Sequence, residues 1–194
     1  MTTQIAEKHA LKEWAVAIKA IDEGQQIVLL RKGGIREKEF KVEHENFFLY
    51  PTYEHQKEDL LKPEYGDALK DTLAEWEGPE GEEVKLTHWV RVTHVFEVID
   101  TDKVAAISPY FMWTEDYAEK RLHWRPKKPL EILLIRAYRL MEPQPLHIEP
   151  YFIGCKSWID LESPVPMTAL TPVLSDEEYE AKVKEITDAL NLSN

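Results

Sequence analysis

The sequence predicts an α+β fold, a single domain in which a mixed or barrel-like β-sheet is flanked by helices. Three observations predict it. Runs rich in β-branched and aromatic residues fill the middle of the chain, and segments with helical periodicity lie nearer its ends. The 194 residues, 43% of them hydrophobic, can bury the core of one compact domain. We expect a main domain at residues 1–165, with residues 166–194 forming a C-terminal segment and helix packed on it.

The first half of the chain predicts helices around three strands. Apolar residues at helical spacing predict a helix over residues 5–21, with Gly24 at its C-terminal cap. The runs IVLLR and ENFFLY predict buried strands, and alternating charged and apolar residues at 36–44 predict a half-exposed strand between them. Residues 52–77 are rich in helix formers and predict two short helices, the first of which ends at Pro63.

The second half predicts longer strands and a final helix. VKLTHWVRVTHVFEVI has the length and composition of one long bent strand or of two strands. Thr114 is a suitable cap for a short helix, EDYAEKRL, and KPLEILLIRAYRL predicts a central strand. The proline-spaced residues 141–172 predict one or two further strands. Ser175 and Glu178 have the spacing of a capping box, which predicts that the last helix begins there.

Composition excludes several function classes. The formal net charge of −12 opposes nonspecific binding to a polyanion unless the cations cluster on one face. The lone Cys155 excludes intramolecular disulfides, and no segment is apolar enough to span a membrane, so we expect a cytoplasmic protein without a membrane partner. We predict no cofactor, no metal site and no identifiable catalytic residue. A metal site would require the fold to bring together scattered histidines: His44, His55, His88, His94, His123 and His147.

The stretch QQIVLLRKGGIRE places glycines and cations after a predicted strand. Backbone N–H groups of Gly33 and Gly34 would be unshielded, and Arg31, Lys32 and Arg36 would add positive charge around them. Such a turn can bind an anion, although its spacing matches neither a P-loop nor a dinucleotide fingerprint. The alternative is a tight hairpin whose glycines supply positive φ and whose cations are solvated.

The stretch FFLYPTYEHQ carries polar groups where a buried strand ends. Tyr53 is suited to stacking on a base or another planar ligand, while His55 and Gln56 can hydrogen-bond its edge. In the alternative interpretation Thr52 caps a helix and the residues after it form the exposed first turn.

The stretch YFMWTEDYAEKRLHWRPKKP interleaves aromatic residues with cations. Trp113, Arg121 and Trp124 represent the pattern of a nucleic-acid groove, in which cations bind phosphates and rings stack on bases. The alternative assigns the aromatic residues to the core and the lysines to a solvated loop. Two further cations, Arg136 and Arg139, interrupt an apolar run and predict buried ion pairs, with Glu13, Glu97 or Glu131 as partners.

The chain resembles an uncharacterised prokaryotic family, the domain-of-unknown-function family 1802. The resemblance rests on ALKEWAVAIKAIDEGQQIVLLRKGGIRE, FFLYPTYEHQ and WRPKKPLEILLIRAYRL, and it extends to about Leu161. It implies no established activity, but it does imply a part in restriction or defence beside a restriction-endonuclease partner. A helix followed by EGQQIVLLR is also similar to the opening of ASCH and other PUA-like domains, which implies a PUA-like fold with Arg31 and the Lys32-Gly33-Gly34 turn at the ligand cleft.

These observations lead to a non-catalytic recognition domain for DNA or RNA, including a modified base, as the expected function. The first alternative is a small hydrolase or nuclease with a carboxylate and histidine site, motivated by FLYPTYEHQ. The second alternative is a protein-interaction subunit that uses its acidic surface and its last helix.

Overall fold

A computed structural model describes residues 6–32, 40–76, 83–154, 156–167 and 169–192. Within these residues seven strands form one sheet: β1 (Ala6–Trp14), β2 (Val28–Arg31), β3 (Asn46–Thr52), β4 (Glu83–Val98), β5 (Leu130–His147), β6 (Trp158–Pro166) and β7 (Leu170–Pro172). Five α-helices accompany it: α1 (Ala15–Asp22), α2 (Gly66–Ala74), α3 (Thr101–Ala106), α4 (Glu115–His123) and α5 (Asp176–Leu192). The predicted α+β fold with a mixed sheet and flanking helices is therefore confirmed.

The sheet has the strand order β2-β5-β4-β3-β1-β6, and β7 adds to β5 beside β2. Strands β1 and β3 run parallel, while the other described pairs are antiparallel. The longest pairing joins β4 to β5, from Glu83 opposite His147 to Val98 opposite Leu130. We call this pair the β4–β5 ribbon. Register shifts between Leu86 and His88 and between Val92 and His94 mark two bulges in β4.

The helix predicted over residues 5–21 is wrong in its first half. Residues Ala6 to Trp14 form β1, which lies between β3 and β6, and the helix starts only at Ala15. Backbone hydrogen bonds to two neighbouring strands decide the conformation, because a strand placed between partners gains ladder bonds on both edges. Ala10 and Leu11 are fully buried in that position, so their apolar spacing also suits the sheet.

Two other predicted elements differ from the structure. Residues 40–44 are not a strand but pack against β6, where the indole N–H of Trp158 binds the Lys41 carbonyl at 2.9 Å and Phe40 stacks on the same ring. The rest of that prediction, residues 36–39, lies outside the described residues. The described part of the predicted two-helix segment, residues 52–76, forms short 3-10 helices at Glu58–Leu60 and Pro63–Tyr65 before α2 begins, and Pro63 opens the second of these.

The later elements agree more closely with the sequence. The long strand β4, the central strand β5 and the capped helices α4 and α5 are confirmed. Strand β5 continues through Pro143 and Pro145 to His147, because beyond Leu140 it pairs with β4 alone among the described strands, and an edge tolerates residues without an N–H donor. Further short 3-10 helices lie at Ser108–Tyr110 and Pro150–Phe152.

The last helix packs into the same core as the sheet. Its Tyr179, Val183, Ile186 and Leu190 are buried with residues of α1, α3, α4, β2 and β5 in one apolar cluster. Arg136 of β5 binds the Asp176 carboxylate at 2.6 Å and the Leu174 carbonyl at 3.0 Å, which anchors the start of the helix. The division of the chain near residue 165 stays a prediction.

Candidate functional site

A cleft of about 950 Å³ opens at one end of the β4–β5 ribbon. It lies between the C-terminal half of α1, the end of β3, the end of α2 and the ribbon, and we call it the ribbon cleft. Its size is that of a small-molecule or cofactor site. Two features of its wall are chemically informative, an aromatic pair and a polar cluster.

The aromatic pair consists of Tyr53 and Trp76. Tyr53 follows the end of β3 and Trp76 follows α2, and their rings are stacked with centroids 5.7 Å apart and planes within 5°. Burial, with a smaller contribution from the Glu75 carboxylate, raises the pKa of Tyr53, so its hydroxyl remains protonated and able to donate a hydrogen bond. The pair therefore offers a flat apolar surface with a polar edge.

The polar cluster centres on Asp22 at the end of α1. His88 Nε2 lies 2.9 Å from Asp22 Oδ1, and Arg139 donates hydrogen bonds to the same carboxylate and to the Asp22 backbone carbonyl. Thr87 Oγ1 lies 2.8 Å from His88 Nδ1 on the other side of the ring. Three segments that are distant in the sequence, α1, β4 and β5, thus meet at one carboxylate.

Electrostatics fix the protonation of this cluster. Burial acts to raise the pKa of Asp22, but the hydrogen bonds from Arg139 and His88 outweigh it and lower the pKa. Burial also lowers the pKa of His88, against the opposing effect of Asp22. At neutral pH Asp22 is charged and His88 is neutral. His88 Nε2 then carries the proton that Asp22 accepts, and Nδ1 accepts from the Thr87 hydroxyl.

The charges that line the ribbon cleft nearly balance. Three cations face four carboxylates: Lys19, Lys85 and Arg139 against Asp22, Glu23, Glu75 and Glu83. Lys19 is further bound to Asp71 at 2.9 Å. A cleft without excess positive charge suits a planar, largely neutral group better than a run of phosphates.

The predicted residues of the first and third stretches meet in a buried cluster away from the ribbon cleft. Arg31 Nη2 lies 3.1 Å from the buried Glu13 carboxylate and also donates to the Lys12 carbonyl. The Lys32 ammonium is buried and donates to the Leu122 carbonyl, and burial, together with the nearby Arg121, lowers the Lys32 pKa.

Aromatic rings complete the same buried cluster. Trp14 contacts Trp113 at 6.1 Å and Tyr117 at 5.6 Å between centroids, and Arg121 lies 5.9 Å from the Tyr117 centroid. Burial raises the pKa of Tyr117. Arg31 and Lys32 make internal hydrogen bonds in this cluster, while Trp113 and Arg121 pack against the Tyr117 ring. The ligand-binding roles predicted for these four residues stay predictions.

The remaining predicted residues are dispersed. Gln56 is buried, and its side-chain oxygen accepts from the Val16 N–H of α1 at 2.9 Å, while His55 is exposed at φ +67°. Trp124 is 50% exposed. The predicted Gly33, Gly34 and Arg36 lie outside the described residues.

A second cleft lies at the opposite end of the ribbon. Its volume is about 490 Å³, and we call it the lysine cleft after three of its lining residues, Lys41, Lys127 and Lys128. Glu97 and Glu131 line it as well. Lys127 and Lys128 of the third stretch therefore face a different surface from Tyr53.

Sequence reasoning missed most of the ribbon cleft. Of the predicted ligand-binding residues, Tyr53 alone lines it, and no signal in the sequence placed Asp22, Trp76 or Lys85 at a ligand site. One signal was present, since Arg139 inside an apolar run required a partner. That partner is Asp22, and Glu13, the first partner expected, binds Arg31 instead.

Within the ranges that the structure covers, none of the helices has the length and apolar character needed to cross a membrane.

No curated protein matches the chain significantly. Among solved structures it is similar to the ASCH protein of Zymomonas mobilis, with 13% identity, a TM-score of 0.41 and coverage of 92% of this chain and 94% of that one. Two single-substitution variants of the same protein also match, each with a TM-score of 0.41. The match to the first has 13% identity and covers 93% of this chain and 98% of the variant. The match to the second has 12% identity and covers 92% of this chain and 97% of the variant.

A family model described as a domain of unknown function, DUF1802, matches residues 10–185. This range contains all three stretches that carried the family resemblance, and it covers most of the chain. The chain therefore belongs to the DUF1802 family.

Proposed function

We propose that the protein is a non-catalytic nucleic-acid recognition domain whose ribbon cleft receives one unpaired base. The observation that carries this proposal is the stacked pair of Tyr53 and Trp76 in the wall of a cleft of about 950 Å³. Every nucleobase has a π face, so an aromatic platform binds bases without requiring a particular sequence.

The polar cluster supports the same proposal. Arg139 has five N–H donors, two of which bind Asp22, and its side chain is 43% exposed. Because Asp22 holds the guanidinium in place, the remaining donors are preorganised to meet the edge of a base. The Tyr53 hydroxyl adds another donor. Exocyclic groups of a base, including modified ones, would be distinguished at this edge.

Charge determines which part of the nucleic acid is bound. The cleft has four carboxylates and three cations, and the chain has a net charge of −12. Contacts with backbone phosphates therefore contribute little to the binding free energy. The ligand is accordingly a single-stranded segment or a flipped base in DNA or RNA. Affinity should fall only weakly with salt, unlike that of proteins that bind the phosphate backbone.

The test is binding of fluorescent DNA and RNA, single- and double-stranded, unmodified and modified, at two salt concentrations. Tyr53→Ala and Trp76→Ala are each expected to weaken binding by about 5- to 150-fold, the equivalent of about 1–3 kcal/mol per stacked base. Tyr151→Ala is the matched control, because it removes an exposed aromatic ring that does not line the ribbon cleft and has no predicted binding role. Absence of binding across the panel, or wild-type affinity in both cleft variants, would refute the proposal.

A part in restriction or defence, and a restriction-endonuclease partner, are implied by the family resemblance and stay predictions. The other predicted binding roles also stay predictions, those of Arg31, Lys32, Gly33, Gly34, Arg36, His55, Gln56, Trp113, Arg121 and Trp124. The ribbon cleft supports a proposal about the ligand, not about the biological role or the protein partner.

A second function is favoured by one arrangement, the line of Thr87, His88 and Asp22. A hydroxyl, a neutral imidazole and a carboxylate in this order are the parts of a hydrolase in which histidine takes the proton of the nucleophile. Against it, Thr93 Oγ1 makes the same contact with His94 Nδ1 at 2.9 Å, so a threonine-histidine pair at a β4 bulge forms this bond without a carboxylate. Turnover of ester or phosphodiester substrates that is abolished by Thr87→Val would establish the hydrolase.

A further inference from the structure

We propose that His9, His44 and Asp160 form a binding site for a divalent transition-metal ion, with zinc as the best match. Nitrogen and oxygen donor atoms of the three side chains all lie within 4.8 Å of one another. None of the three lines the ribbon cleft or the lysine cleft, so the proposal is independent of the proposed function.

The fold brings the three residues together from distant positions. His9 on β1 is the direct cross-strand partner of Asp160 on β6, and His9 Nδ1 lies 2.8 Å from Asp160 Oδ1. A register shift between Glu7 and His9 sets this pairing, and the Glu7 carboxylate binds the His9 backbone N–H at 3.0 Å. The third residue, His44, precedes β3, and its ring stacks on His9 with centroids 3.5 Å apart.

Surrounding contacts hold His44 at this position. The edge of the Trp158 ring lies against His44, with centroids 5.2 Å apart, and the Trp158 indole N–H binds the Lys41 carbonyl at 2.9 Å. Trp158 is itself on β6, two residues before Asp160. The same strand thus supplies a carboxylate donor and the support that keeps an imidazole beside it.

The donor set decides the class of ion. Two imidazole nitrogens and one carboxylate oxygen suit zinc and neighbouring divalent transition metals, whereas magnesium and calcium prefer oxygen donors alone. Three protein donors leave a fourth tetrahedral position for water. The Asp160 side chain is 78% exposed, so an ion can enter from solvent.

Metal binding requires a small rearrangement. The two imidazole planes are within 8° of parallel, so their in-plane lone pairs do not point at a common centre. Rotation of one ring, together with movement of the Asp160 carboxylate, brings the three donors onto one ion. The ion would replace the His9–Asp160 hydrogen bond with a link between β1, β6 and the segment that precedes β3.

The experiment is calorimetric titration of the full chain, first stripped with EDTA, with zinc chloride. One equivalent should bind with a Kd of about 1 µM or below. Cobalt(II) in place of zinc should give the visible absorption bands of a tetrahedral nitrogen and oxygen site, a readout that requires no activity.

Variants assign the binding to these residues. His44→Ala and the isosteric Asp160→Asn are each expected to weaken zinc binding by at least about 10- to 100-fold. His123→Ala is the matched control, since His123 Nε2 also lies near a carboxylate, 3.6 Å from Glu119 Oε1, but on an exposed helix face. Circular dichroism of the stripped variants reports folding, and Asp160→Asn, at an exposed position, should keep the fold.

The outcomes are distinct. Loss of affinity in His44→Ala and Asp160→Asn, with His123→Ala unchanged, supports the site. Absence of saturable binding, or the same affinity in all three variants, would overturn it and would assign any bound zinc to scattered surface histidines.

Discussion

Helix α1 begins at Ala15 without a hydrogen bond from the side chain of Trp14, its N-cap residue. The Gln56 side chain supplies the missing acceptor, because its Oε1 accepts from the Val16 N–H at 2.9 Å and its Nε2 donates to the Tyr53 carbonyl at 3.2 Å. Gln56 is only 8% exposed and Val16 is fully buried. The variant Gln56→Leu keeps a similar size but leaves the Val16 N–H without this partner.

The magnitude follows from these two hydrogen bonds. A buried backbone N–H that loses its acceptor costs about 1–3 kcal/mol, and loss of a helix N-terminal cap costs about 0.5–2 kcal/mol for the same group. The Tyr53 carbonyl also loses its donor, Gln56 Nε2, at a part-buried position, while the leucine gains some apolar burial. We expect a net loss of about 2 kcal/mol of unfolding free energy, or about 4–8 °C in Tm for a chain of this size.

The assay is urea unfolding followed by circular dichroism. Gln56→Leu should lower the midpoint with an unchanged m-value. Gln56→Glu keeps an acceptor oxygen and places a negative charge at the helix N-terminus, so it should cost about 1 kcal/mol or less. The exposed neighbour His55 is the control, and His55→Ala should stay within about 0.5 kcal/mol of the wild type. A Gln56→Leu protein as stable as that control would refute the capping role.

Three further outcomes are expected. The pKa of His88 is lower in the folded protein than in the unfolded chain. The stability that depends on its neutral imidazole is therefore complete above the unfolded pKa of about 6.5 and is lost as pH falls through the folded-state pKa. His88→Gln should flatten the slope of Tm between pH 7 and pH 5, and an unchanged slope would contradict the pKa shift. Ser175→Ala removes the hydroxyl that accepts from the Glu178 N–H and donates to the Glu178 carboxylate, while the residue 175 N–H keeps its bond to that carboxylate. It should cost about 1 kcal/mol in urea unfolding, whereas a neutral result would show that the exposed cap is solvated. Gly24 has φ +70°, and a Cβ there would lie 2.7 Å from Leu174 Cδ2, so Gly24→Ala should lower stability by about 1–2 kcal/mol in the same assay, with an equal or higher midpoint as the contrary result.

Local signals in the sequence were sufficient for the later elements of the fold. Thr114 and Ser175 cap helices through bonds to residues three positions away, so their roles are visible in a short window. The β-branched composition of β4 likewise predicts its conformation without knowledge of its partners. β1 was misread because its apolar spacing fits a helix, and only pairing with β3 and β6 decides otherwise.

The candidate site was harder to predict because its contacts are long-range. Arg139 required a carboxylate, but its partner Asp22 is 117 positions away, and the sequence contains many other carboxylates. His9 and Asp160 are separated by 151 positions and meet only through the pairing of β1 with β6. Gln56, by contrast, has a side chain suited to a ligand contact, but its oxygen accepts instead from the backbone N–H of Val16 at the start of α1.

The length of the β4–β5 ribbon separates the ribbon cleft from the lysine cleft. At about 3.3 Å per residue, the 16 residues of β4 have a contour length of about 50 Å, with the ribbon cleft at one end and the lysine cleft at the other. A strand of nucleic acid anchored by one base at Tyr53 and Trp76 would need several more nucleotides to reach Lys127 and Lys128. Affinity measured against oligonucleotide length should therefore rise in a step if one strand engages both ends, and it should stay level if the base in the ribbon cleft is bound alone.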